Sequence, residues 1–164
     1  MALTKIADGG MPAGAMLQVV QTVKTDTFSS NPSSSFVDIT GMSVAITPSS
    51  SSSKILVQIN LVGGGLTAVN EAKFRLVRGS TVIYAGASAG NRTVGYGAFI
   101  ADDAASTGTS TGMFLDSPSS TSATTYKVQV FSNNTVYINR TSSDSDDANR
   151  FRGASTITVM EIAG

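Results

Sequence analysis

This chain of 164 residues predicts an all-β fold of short antiparallel strands, on three observations. Apolar residues recur with a period of two, the spacing that puts alternate side chains on one face of a sheet. Clusters rich in Ser, Gly, Pro and Asn break the alternation at intervals of about 8 to 12 residues, as turns do in a sandwich or barrel. No segment keeps the i, i+3, i+4 spacing of a helix with one buried face.

The elements follow in chain order. Residues 2–11 hold no steady period, and Gly9, Gly10, Pro12 and Gly14 interrupt them. Residues 1–14 therefore read as an arm, either a frayed terminus or a peptide docked on something larger, and 15–164 as one sandwich domain. A strand-like run covers 15–23, with Leu17, Val19 and Val23 on one face and Met16 and Val20 on the other. After the turn-like stretch 29–35, alternation resumes over 36–46 and stops at Pro48 and the five serines behind it. The clearest strand is 55–61: Ile55, Val57, Ile59 and Leu61 share a face, while Lys54, Gln58 and Asn60 share the other. Gly63, Gly64 and Gly65 read as a mobile turn. Further strands are expected at 74–78, 82–87, 94–101, 113–116, 126–131, 136–140 and 156–162, separated by loops at 106–112, 117–122, 133–134 and 142–147.

Composition bounds the function. A chain that is 41% hydrophobic and 13% charged has the apolar surface of one core. Eleven basic residues balance eleven acidic ones, so the positive field that draws nucleic acid or an anionic membrane surface is missing. The apolar windows 55–66 and 157–163 are too short to span a bilayer, and the first residues do not form the apolar stretch of a secretory signal. The three Asn-x-Thr sequons at Asn91, Asn133 and Asn139 are what chance gives in a Thr-rich chain.

The chain contains no histidine and no cysteine. That double absence removes the usual general base near neutral pH, the best side-chain nucleophile and the common zinc ligands. Carboxylates remain, and a glycosidase needs only two of them, so an enzyme acting on host-envelope glycan is kept as a distant alternative. Its candidates are few: Glu71 and Glu161 are the only glutamates, and Asp102, Asp103, Asp144, Asp146 and Asp147 lie in Ser-rich or Ala-rich stretches where solvated charge is the normal state. The 144–147 run lacks the spaced ligands of a calcium loop and is expected to pair with Arg140, Arg150 or Arg152. No cofactor and no metal site are expected.

Two stretches are apolar on both faces. In 156–162, Ile157 and Val159 point one way while Met160 and Ile162 point the other, and Met16 and Val20 repeat the pattern in the first run. Either these strands lie centrally inside the monomer, or a subunit interface covers Met16, Val20, Met160 and Ile162. Gly95 and Gly97 form a second candidate, since a face without side chains lets another backbone or ring approach, although a bulge or bend explains them equally.

Several phrases together resemble small structural proteins of tailed bacteriophages, especially those of aquatic bacteria and cyanobacteria. They are Met1-Ala-Leu-Thr-Lys-Ile, Leu17-Gln-Val-Val-Gln-Thr-Val-Lys-Thr-Asp, Ile46-Thr-Pro-Ser-Ser-Ser-Ser-Ser-Lys-Ile-Leu-Val, Arg75-Leu-Val-Arg-Gly-Ser-Thr-Val-Ile, Tyr126-Lys-Val-Gln-Val and Ser155-Thr-Ile-Thr-Val-Met-Glu-Ile. The expected strand order is similar to the trimeric jelly-roll heads of the tumour necrosis factor and complement type, without their stalk. The resemblance implies a homotrimeric, non-enzymatic virion protein, anchored to capsid or tail proteins through Leu3, Ile6 and Met11 of the arm. It implies an exposed fibre tip or knob that attaches to a host-surface glycan or protein, with a capsid decoration or cement role as the alternative. The polar, reachable residues Asn91, Arg92, Tyr96, Asp146, Asn149 and Arg150 are the receptor-binding candidates.

Overall fold

The computed structural model describes residues 11–64, 71–101 and 103–164, and every regular element within them is a strand. In chain order these are β1 Met16–Lys24, β2 Phe28–Ser30, β3 Val37–Ile46, β4 Lys54–Gly64, β5 Ala72–Arg78, β6 Thr81–Tyr84, β7 Gly97–Phe99, β8 Thr107–Asp116, β9 Thr124–Phe131, β10 Val136–Ile138 and β11 Ser155–Ile162. Among the described residues no helix is long and apolar enough to cross a membrane.

The strands assemble into two antiparallel sheets packed as a β-sandwich. In the larger, β1, β11, β4 and β8 lie side by side, and β10 and β2 continue beyond β11 from the far end of β4. In the smaller, β3, β9 and β5 are neighbours, and β6 and β7 both pair with the remaining side of β5. Alternation decides which residues meet between the layers. Ile55, Val57, Ile59 and Leu61 of β4 face Met42, Phe74, Leu76, Tyr126 and Val128 of the other sheet, all of them buried in one apolar cluster.

The register also defines two ends. The start of β1, the end of β11 and the turns at 47–53 and 117–123 lie at one, which we call the arm end. There Gly14 N–H donates to the Ala163 carbonyl and Ala163 N–H to the Ala15 carbonyl, tying the two termini together at 2.8 Å each. Asp116 on β8 bridges the layers there, accepting from Arg78 Nη1 at 2.8 Å and from Tyr126 Oη at 2.7 Å. Burial and that bond to the carboxylate push the Tyr126 phenol well above its ordinary pKa. The loops at 103–106 and 139–154 lie at the opposite end, and the bond from Ser143 N–H to the Ala104 carbonyl joins them.

Three expectations change. Residues 106–112 were expected as a loop, yet β8 begins at Thr107 and pairs with β4 without a register break through Asp116. Its inward positions Gly108, Ser110 and Gly112 are small because the smaller sheet comes close there: a Cβ on Gly108 would lie 2.6 Å from Phe99 Cβ, and one on Gly112 would lie 2.9 Å from the Tyr96 ring. Gly63 and Gly64 are strand residues of β4, not a mobile turn, since a Cβ on Gly63 would collide with the Tyr137 carbonyl. Residues 28–30, two of which fall in the turn-like stretch 29–35, form the short edge strand β2.

Candidate functional site

The outer faces of the two sheets differ in chemistry. On the smaller sheet the face is polar along β3 and β9, where its partners are internal, with the Val77–Val82 pair near β6 as its apolar part. Asp38 accepts from Lys127 Nζ at 2.7 Å and from Gln129 Nε2 at 2.6 Å, and Gln129 Oε1 accepts from Arg75 Nε at 2.8 Å. The Arg75 guanidinium covers the Phe36 ring at 4.1 Å. This face is finished as a solvated surface.

On the larger sheet the outer face is not. Cross-strand register places Val19 of β1, Met160 of β11, Leu56 of β4 and Leu115 of β8 in one row across four adjacent strands. Met16 stands opposite Ile162 on the same face at the arm end, and Val23 and Met113 lie on the next rows. Exposure runs from 51% for Val23 to 64% for Met113, with Met16, Val19 and Leu115 between. Toward the loop end the face turns polar, through Gln21, Thr158, Gln58, Asn60 and Thr111. A contiguous apolar band rimmed by polar residues is the mark of a surface that another molecule covers.

The interface candidates are placed as follows. Met16, Met160 and Ile162 share the outer face, but Val20 points into the sandwich against the core, and Val19 and Val23 take its place outside. The cause is a β-bulge at Leu17: the register steps from Met16 opposite Ile162 to Gln18 opposite Glu161, which flips the alternation expected for the run. Gly95 and Gly97 do admit a close neighbour, as their missing side chains require, but it belongs to the same chain. A Cβ on Gly95 would strike the Phe74 carbonyl, and one on Gly97 would lie 2.8 Å from Ser110 Oγ. Gly97 serves the contact between the layers, and Gly95 lets its segment lie against the β5 backbone within the smaller sheet.

The receptor candidates fall into separate places. Asn91 and Arg92 are exposed in the loop joining β6 to β7, which leaves the side of the sandwich midway along β5. Asp146, Asn149 and Arg150 lie in the loop-end segment, where a shallow depression of about 270 Å³ is lined by Asp144, Ser145, Asp146, Asp147, Arg150 and Arg152. That loop is organised from within: Asp144 pairs with Arg140 at 2.7 Å and Arg152 at 2.6 Å, and Asp147 accepts from Asn149 N–H at 2.8 Å. Tyr96 does not belong with them. Its ring stacks on Tyr84 at 5.1 Å and packs over Gly112 between the sheets, where burial raises its phenol far above the ordinary value. Of the anchor candidates, Leu3 and Ile6 lie outside the described residues, and Met11 is half-buried beside the arm end.

A buried carboxylate, which the sequence reading treated only as a spare acid, is Glu161. It faces inward, opposite Gln18 across β1 and β11, and accepts from Ser49 N–H at 2.7 Å, Ser49 Oγ at 2.6 Å and Gln18 Nε2 at 2.6 Å. Burial pushes its pKa up, but those bonds outweigh burial and hold it below the ordinary value. It is a structural joint between β1, β11 and the 47–53 turn. Among the described residues no group of three or more acids could hold a metal ion. No protein-family model matches the chain, and no curated protein aligns with it.

Proposed function

We propose that this chain is a non-enzymatic structural protein of a phage particle, a jelly-roll knob that works as a homotrimer. Residues 1–14 hold it to capsid or tail proteins, and loops at the far end meet the host surface. One observation carries the reading: the apolar row Val19–Met160–Leu56–Leu115 crosses the outer face of one sheet while the other sheet's outer face is internally paired and polar along β3 and β9. A protein that worked alone would solvate both faces; this one leaves about a sheet-width of aliphatic side chain for sister copies to cover.

The strand order supports the jelly roll. Sheets ordered β1-β11-β4-β8 and β3-β9-β5-β6, with the chain passing from one to the other, are what a rolled-up pair of Greek keys produces. The separation of ends supports the knob. The arm leaves beside the start of β1, and the charged 144–152 loop stands at the other end, so one end is free when the other is anchored.

Light scattering on the purified protein at micromolar concentration tests the reading. Three chains per particle, or a multiple of three, are expected, and Leu56→Glu with Met160→Glu should abolish the three-fold assembly while leaving the chain folded, because a carboxylate in a desolvated aliphatic contact costs several kcal/mol. A parent protein that is already a single chain would overturn the assembly. Host-cell binding by the isolated oligomer supports the attachment role, whereas capsids that burst without the protein support the cement role.

A further inference from the structure

Among the described residues, no strand covers one edge of the larger sheet. Strand β8 runs for ten residues and pairs with β4 alone, in continuous register. Among the described residues no second strand pairs with its free side. Natural edges are blunted by Lys, Pro, bulges or shortness. Here β8 has none of these: its sequence, Thr107-Gly-Thr-Ser-Thr-Gly-Met-Phe-Leu-Asp, is uncharged up to Asp116, and that carboxylate is already engaged by Arg78 and Tyr126. The opposite edge shows what protection looks like. There β1 is bulged at Leu17, and its side chains close onto the smaller sheet, Thr22 Oγ1 donating to the Ser43 carbonyl and Gln18 Nε2 to the Thr47 carbonyl at 2.8 Å each.

We infer that β8 pairs antiparallel with β8 of a second copy of this chain, about a two-fold axis at Met113. This contact goes beyond the knob assembly and does not depend on it. The argument for a second copy is self-complementarity. With Met113 opposite Met113 of the second copy, the faces of both sheets stay continuous, as antiparallel pairing requires. Phe114, only partly buried on the inner face, then lies opposite Gly112 of the second copy, and an aromatic ring across from an edge glycine is a pairing that stabilises such strands. Thr111 meets Leu115, and the Ser110 hydroxyl meets Asp116. On either side of the central Met113 pair the larger residue faces a smaller one, and no like charges oppose each other. Met113 and Leu115, now exposed, become the outer seam of the joined sheets.

The chain has no cysteine, so any introduced thiol is unique and reports its own neighbour. Directly opposed residues bring Cβ atoms within roughly 4.5–5.5 Å, close to disulfide reach, whereas Leu115 and Leu115 of the second copy are offset by four residues, about 13 Å along the strands. Under mild oxidation Met113→Cys should convert to a species of twice the chain mass on a non-reducing gel. Leu115→Cys alone should stay single, and an equimolar mixture of Leu115→Cys with Thr111→Cys should cross-link. The Met113→Cys link should also form in a Met160→Glu background, which separates this contact from the apolar-face assembly. A folded Met113→Cys protein that keeps its thiol free, as it would if a different chain covered β8 on the particle, overturns the inference. So does equal cross-linking at 113 and 115.

Discussion

Asn139 illustrates how single residues set the loop end. It is fully buried with φ at 63°, a left-handed conformation that asparagine tolerates better than other side-chain-bearing residues. Its Nδ2 donates to the Lys24 and Asp26 carbonyls at 2.8 and 2.9 Å, and its Oδ1 accepts from Ser155 Oγ at 2.6 Å, so one side chain joins the end of β1 to the start of β11. Asn139→Ala leaves those groups unpaired and forces alanine into the same backbone shape. A loss of about 2–4 kcal/mol is expected in urea unfolding. Glu161 makes the corresponding prediction for pH. Its folded pKa lies below the ordinary 4.5, so the folded state binds its proton less tightly than the unfolded chain does. The stability it contributes is present above that value and is lost as pH falls through and below it. Glu161→Gln should flatten the acid limb of a stability-versus-pH curve below about pH 5. At neutral pH it should cost about 1–3 kcal/mol, because an amide NH₂ would face donors from Ser49 or Gln18.

Among the elements, β8 shows why composition misleads. Ser, Thr and Gly mark turns when they must supply unusual backbone or local hydrogen bonds. In β8 the threonines at 107, 109 and 111 take the outer face, while Gly108, Ser110 and Gly112 take the inner one so that Phe99, Tyr96 and Tyr84 can close the sandwich. The strict Thr-x-Thr-x-Thr alternation was the available signal. Gly108→Val should therefore destabilise the fold by about 1–3 kcal/mol through overpacking against Phe99, read as a lower midpoint in thermal unfolding. Thr109→Val, on the solvent face of the same strand, should leave the midpoint nearly unchanged. The first strand carries the complementary lesson. Its apolar residues are legible, but the bulge at Leu17 that assigns Val19 and Val23 to the outside and Val20 to the core has no sequence mark of its own.

At the scale of the whole molecule, the start of β1 and the 144–152 loop lie at opposite ends of the sandwich, which on the proposed reading separates attachment from presentation. The described chain is closed at the arm end by the bonds that join Gly14 and Ala15 to Ala163. Deleting residues 1–10 should leave the thermal midpoint of the oligomer within about 2 °C, a shift corresponding to well under 1 kcal/mol, while abolishing incorporation into virions. A large drop in midpoint would make the arm part of the fold and remove it as an anchor.

The sequence by itself determined the all-β class, most strand positions and the two-faced apolar character of β11, because side-chain alternation is a local property that any sheet must obey. It also determined the pairing of Asp144 with nearby arginines, which needs only opposite charges on one loop. The tertiary structure alone decided that Tyr96 and Gly97 look inward, that Gly95 packs on the β5 backbone, that Glu161 is a joint, and that Val19, Met160, Leu56 and Leu115 form one row. Each of those facts depends on which strands become neighbours. Neighbouring strands here come from distant parts of the chain, so their register is set by how two sheets close over a shared core and not by any local pattern.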